Sequence, residues 1–209
     1  VSPIGHYFTN SEIKHNNFNK FVDYAYYQWG YHYSNILVPS ENPYFLKQNN
    51  IFVTSFDHMY FLTSQGGANI IETPGNYWGT TNVSKINPFI HDFWDNPSIP
   101  LIRFTPILEA PSDSAHGCVW KVLINGKDAQ DEFVEPVGVG KQRFDIYFNR
   151  QMDTTVSPFV GFGVRYPFSS NIVNEEGNWS GDGKIYTVFK TIKLYTGDGI
   201  NRVRVTGAK

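Results

Sequence analysis

The sequence predicts an all-β chain in two parts: stacked parallel coils over residues 1–108 and an antiparallel sandwich over residues 115–209. Three observations lead there. Asparagine-bearing turns recur in the first half at a spacing of roughly 20 to 50 residues, the signature of a solenoid rather than one closed core. The apolar runs between them, such as Ile36–Val38, Ile51–Val53 and Ile70–Ile71, are β-branched or aromatic and too short for helices. In the second half, longer runs alternate apolar and polar residues between turn signals.

The coils come first. The segments Ile13-Lys14-His15-Asn16-Asn17-Phe18 and Leu46-Lys47-Gln48-Asn49-Asn50-Ile51 carry the same Asn-Asn pair between apolar residues, 33 positions apart. The turn Asn76-Tyr77-Trp78-Gly79 follows Asn49 by 27 positions. Asparagine tolerates the left-handed backbone region that a sharp turn needs. Stacked asparagine amides also bond to the coils above and below, so buried donors and acceptors find partners. If Asn49 lies in such a stack, replacing it by alanine should cost about 1–3 kcal/mol. The stretch from Phe18 to Trp29 is aromatic nearly throughout, which favours strands over a helix.

From Ile86 the pattern changes. Ile86, Ile90, Asp92 and Asp95 precede the segment Phe104-Thr105-Pro106-Ile107-Leu108. Together with Asn76, Trp78 and Gly79, this resembles the ending of secreted right-handed parallel β-helix proteins of the pectate-lyase-like superfamily. The resemblance implies a cap, since the open end of a coil stack exposes apolar surface and unpaired edge groups. Trp78, Phe93 and Trp94 are expected to supply the cover, and Asp92 and Asp95 to bond to backbone.

Glu109-Ala110-Pro111-Ser112-Asp113-Ser114 reads as a domain boundary, being small, polar and proline-containing. Beyond it, strands are expected at Val119–Asn125, Arg143–Asn149, Val160–Tyr166, Ile185–Leu194 and Ile200–Val205, with a turn at Gly126-Lys127-Asp128. Phe144, Ile146 and Phe148 share one face. The run Phe144-Asp145-Ile146-Tyr147-Phe148-Asn149-Arg150-Gln151-Met152-Asp153 resembles the signature of bacterial Ig-like modules of surface and S-layer-type proteins. That resemblance implies a structural or adhesive module, with Met152 plugging the core and Asp153 capping the next turn.

Composition narrows the function classes. A net charge of −2 with scattered Lys and Arg gives no electrostatic case for nucleic acid. No apolar stretch reaches the roughly 18 residues that span a bilayer. One cysteine, Cys118, excludes an internal disulfide framework and a cysteine zinc cage. The aromatic fraction of 17% against 17% charged residues argues for substantial burial. Tyr- and Asn-rich, Lys-poor composition resembles secreted bacterial surface proteins. The sequence opens at Val1 and reads as a processed or excised piece. Asn82-Val83-Ser84 and Asn178-Trp179-Ser180 match the glycosylation sequon, relevant only in a eukaryotic host.

Catalysis on a coil stack needs clustered carboxylates, or Ca²⁺ with a basic neighbour. The first half offers few acids, and the acid–imidazole neighbours Asp57-His58 would point to opposite faces of a strand. The six histidines lack metal-ligand spacing. No cofactor motif is present, and Ca²⁺ at Asp182 or at the Asp198 turn is the only cofactor for which the sequence leaves room. Gly197-Asp198-Gly199 reads as a hairpin turn. The aromatic stretch Tyr24–Tyr33 admits two readings: rings packed between coils, or a glycan-contacting surface led by Tyr27, Trp29 and Tyr31.

The chain therefore reads as a non-catalytic, structural or adhesive segment of a secreted or cell-surface bacterial multidomain protein. Its expected partners are a polysaccharide or cell-surface glycan and other domains of the same polypeptide, with no nucleic acid and no membrane span. The alternative is the C-terminal tail of a β-helix polysaccharide lyase or hydrolase whose catalytic coils lie upstream.

Overall fold

In a computed structural model, the structure describes residues 13–14, 17–18, 34–39, 46–52, 60–65, 70–129, 135–173 and 177–209. Among these the chain is all-β with little helix, and it divides into two compact units, Val1–His116 and Gly117–Lys209.

Every strand pairing described in the first unit is parallel. β1 (Ile13–Lys14) pairs with β4 (Leu46–Lys47), and β2 (Asn17–Phe18) with β5 (Asn50–Ile51). Asn17 faces Asn50 and Ile13 faces Leu46, so the 33-residue shift of the sequence is the register of both pairs. β3 (Ser34–Pro39), β6 (Tyr60–Gln65) and β8 (Ile90–His91) form a three-stranded sheet, and β7 (Ile71–Glu72) pairs with β9 (Ile102–Arg103). A parallel bridge joins Asn50 to Tyr77. Pairings of this kind, each between segments 26 to 33 residues apart, stack like positions of successive chain passes on one another.

Inside this stack lie Leu46, Ile51, Ile71, Trp78, Ile86, Ile90, Ile102 and Phe104. A single helical turn, α1 (Val83–Ile86), interrupts the strands; Asn82 caps it by accepting the Ser84 amide at 3.0 Å. Trp78 was expected to cover the end of the stack. It is 1% exposed and sits in the core, edge-on to Phe104. Phe93 and Trp94 cover nothing comparable: they are 42% and 80% exposed. The two rings lie edge-on to each other, centroids 5.7 Å apart, in a turn whose N–H groups bond to Pro100 O and to the Asp92 and Asp95 carboxylates.

Every strand pairing described in the second unit is antiparallel. β10 (Val119–Ile124), β11 (Lys127–Asp128), β12 (Gly140–Phe148), β15 (Asn178–Trp179) and β16 (Ile185–Ile192) form one sheet in the order β11-β10-β12-β16-β15. β13 (Phe159–Gly163), β14 (Asn171–Val173) and β17 (Arg202–Thr206) form a second, in the order β14-β13-β17. Phe144, Ile146 and Phe148 share one core with Val160, Phe162 and Val173 of the second sheet, a sandwich-like arrangement. Phe144 stacks on Phe162 across it, with ring centroids 6.1 Å apart.

Two turns differ from expectation. The β10–β11 connection is Asn125-Gly126, with φ of +52° and +81°, the two left-handed residues of a type I′ hairpin; Lys127 and Asp128 belong to β11. Gly197-Asp198-Gly199 closes no hairpin, because β16 and β17 lie in different sheets.

Candidate functional site

The asparagine turn is a network of buried amides. Asn49 and Asn76 are both fully buried. Asn76 Oδ1 accepts the Asn49 backbone N–H at 3.0 Å and the Asn49 side-chain amide at 3.1 Å. Asn76 Nδ2 donates to Leu46 O at 3.0 Å and to Thr73 O at 2.9 Å. One side chain thus satisfies groups on two stacked chain passes. The left-handed residue is not the asparagine, as expected, but its predecessor: Gln48 at φ +56° and Gly75 at +72°. That placement leaves the asparagine backbone free to aim its amide inward.

The second asparagine of the pair works differently. Asn50 Oδ1 accepts the Ser112 N–H at 2.6 Å while its Nδ2 donates to Ser112 O at 3.2 Å. The segment read as a domain boundary is therefore bonded at its centre to the asparagine turn of its own unit. The stack of amides stops at Asn76. Gly75 N–H donates to Pro106 O and Leu108 N–H to Asn76 O, which puts Ile107 at the next position of the ladder. Ile107 packs against the apolar core.

Asp92 and Asp95 serve the backbone. Asp92 Oδ2 accepts the Ile102 N–H at 2.9 Å and Oδ1 the Trp94 N–H at 3.0 Å, while Asp95 Oδ2 accepts the Asp92 N–H at 3.2 Å. In the second unit, Asp182 accepts from Ser180 Oγ at 2.6 Å and from the Lys184 N–H at 3.1 Å, bonds that hold its carboxyl below the usual range. Asp153 caps its turn through the Thr155 hydroxyl and N–H, which lower it likewise, and Met152 packs against the core. Asn149 clamps Cys118 at both backbone atoms, and burial pushes the Cys118 thiol up to about 11. At neutral pH it stays a thiol, hence a poor nucleophile. No three His, Cys, Asp or Glu among the described residues group as a metal site. Tyr27, Trp29, Tyr31, Asp57 and His58 lie outside the described residues.

The surface that the sequence reading missed is the outer face of the five-stranded sheet. Residues 144, 146 and 148 point into the core, so Lys141, Arg143, Asp145 and Tyr147 face outward. Register sets Phe189 beside Arg143, Thr187 beside Asp145, and Lys121 beside Tyr147. The bulge between Val119 and Lys121 brings Trp120 edge-on to Tyr147, centroids 6.0 Å apart. Lys121 Nζ stands 5.9 Å from both ring centroids, and Lys141 Nζ 4.5 Å from that of Phe189. Asp145 is fixed beneath by Arg143 Nε at 2.9 Å and the Thr187 hydroxyl at 2.6 Å. The face thus alternates half-buried rings with ammonium groups, on a rigid sheet. The available signal was the i, i+2 series Lys141, Arg143, Tyr147, hidden by attention to its apolar complement.

No protein-family model, curated protein or solved structure matches this chain.

Proposed function

We propose that this chain is a structural and adhesive segment of a secreted or cell-surface bacterial multidomain protein, which contacts polysaccharide through the outer face of the second unit. In this reading the first unit is the end of a right-handed parallel β-helix, supported by parallel pairings at coil-like shifts and by the buried Asn49–Asn76 amides. The second is an Ig-like sandwich, supported by its two antiparallel sheets and by the Asn149, Met152 and Asp153 contacts.

The observation that carries the binding role is the set of rings Trp120, Tyr147 and Phe189 with Lys121 and Lys141 against them. Flat aromatic faces stack on the C–H faces of sugars, and ammonium groups pair with uronate carboxylates. From Lys141 to Tyr147 the strand offers roughly 20 Å of such surface at about 3.3 Å per residue, enough for several sugar units.

Affinity electrophoresis of the full chain through gels containing a polyuronate or a neutral polysaccharide tests this. The polyuronate should retard the wild type. Tyr147→Ala with Phe189→Ala should weaken retention tenfold or more, and the exposed Lys141→Glu should weaken it with the fold left intact by circular dichroism. A chain retarded by neither gel, or a Lys141→Glu variant retained as well as the wild type, would refute the proposal.

A further inference from the structure

The loop between β13 and β14 (residues 164–170) and that between β16 and β17 (residues 193–201) come together at one end of the sandwich. Asn171 Nδ2, at the start of β14, donates to Thr196 O at 3.3 Å and ties the second loop to the base of the first. Arg204 Nη1 donates to Pro167 O at 3.2 Å, and the Arg202 guanidinium lies 5.5 Å from the centre of the Phe168 ring. A Cβ on Gly199 would stand 4.0 Å from Val164 Cγ2. The pair is therefore held in one arrangement, around a cleft of about 200 Å³.

From this fixed base the loops hold out apolar side chains. Leu194 is 90% exposed, Ile200 89%, Tyr166 83% and Tyr195 80%. A soluble surface seldom gathers four such residues without a use. The same segments carry Arg165, Lys193, Arg202 and Arg204 against a single acid, Asp198, in residues 164–173 and 193–204, with Lys193 Nζ 5.6 Å from the Tyr195 ring centre. Four cations around one patch repel a second copy of the same patch and attract an anionic partner.

We infer that this loop end docks on an anionic lipid surface. Leu194 and Ile200 enter the boundary between headgroups and acyl chains, Tyr166 and Tyr195 sit at headgroup level, and the four cations pair with lipid phosphates. Aliphatic tips with tyrosines and cations in the same segments are the arrangement by which peripheral proteins lie on membranes. Side chains that protrude with four-fifths or more of their surface free suit a fluid partner better than a preformed protein pocket. The loop end shares no residue with the outer-face set Trp120, Lys121, Lys141, Tyr147 and Phe189, so variants in either set report on one site.

Co-sedimentation with vesicles tests it, using phosphatidylcholine alone and an equal mixture of phosphatidylcholine and phosphatidylglycerol. The full chain should sediment with the mixed vesicles and be released by high salt. Leu194→Ser with Ile200→Ser should weaken binding tenfold or more, and these exposed positions carry little folding cost. Arg165→Glu with Lys193→Glu should abolish the preference for the anionic mixture, while Tyr147→Ala, at the opposite end of the β12–β16 pair, should bind vesicles as the wild type does. A wild type left in the supernatant with both vesicles overturns the inference, as does unchanged binding of either double variant. Concentration-dependent self-association in the ultracentrifuge, lost with Leu194→Ser and unaccompanied by vesicle binding, would assign the patch to a second copy instead.

Discussion

Both units bury an apolar core, but the first also gathers buried amides at one turn, with Asn49, Asn50 and Asn76 all fully buried, whereas the second buries its polar side chains Gln142, Asp145 and Asn149 one by one along and just after β12. In the first unit, Asn49 and Asn76 lie on chain passes joined by parallel pairing, so a single side chain can serve two passes. In the second unit, backbone groups pair within each sheet, and the buried polar side chains act singly: Asp145 in mid-β12 accepts from Arg143 and the Thr187 hydroxyl, and Asn149 accepts from Cys118. The two units should therefore fail differently, one by losing partners and the other by losing fit.

The largest effect expected is at Asn76. Asn76→Ala strands the Leu46 and Thr73 carbonyls and the Asn49 backbone N–H in a buried turn. Each buried orphan costs about 1–3 kcal/mol, so the loss should reach about 3–4 kcal/mol. Urea unfolding followed by fluorescence of the buried Trp78 reports it. A loss below about 1 kcal/mol would mean that water or neighbouring groups take over, and the contrast between the units would collapse.

In the sandwich the corresponding break needs only one added methyl group. A Cβ at Gly177 would overlap Tyr186 Oη and Cζ, and Tyr186 is 4% exposed with its ring 5.1 Å from that of Trp179. The ring has nowhere to retreat. Gly177→Ala should cost about 1–3 kcal/mol by overpacking. Calorimetry that shows an unchanged transition would place the 177 backbone farther from the ring.

These two positions also mark what the sequence reveals. The spacing from Asn49 to Asn76 exposed the amide network, because a repeated residue at a repeated turn has few other uses. Alternation gave the apolar side of β12, since period-two patterning follows from the pleat. Gly177 gave no signal, for a glycine written between Glu176 and Asn178 looks like any turn. Nor could the ring-and-cation face be read: Trp120 meets Tyr147 only through a bulge, and Lys141 meets Phe189 only through the β12–β16 register. The expected role of Trp94 failed for a related reason. Its type suits a cover, but in the turn bonded through Asp92 and Asp95 it stays 80% exposed.

The smallest effect tests whether every buried polar group in the coils is needed. Thr73 is fully buried, its backbone N–H donates to Arg103 O at 2.7 Å and its carbonyl receives Asn76 Nδ2, yet its hydroxyl has no hydrogen-bond partner among the described residues. Thr73→Val keeps both backbone bonds and the branched shape, and replaces an unsatisfied hydroxyl by a methyl group. Stability should hold or rise by up to about 1 kcal/mol, because the desolvation cost of the hydroxyl disappears. A loss of more than about 1 kcal/mol would show the hydroxyl to be bonded, and would make Thr73 a member of the same network as Asn76. Paired with the Asn76→Ala result, it separates amides that hold the register from a polar atom that burial merely tolerates.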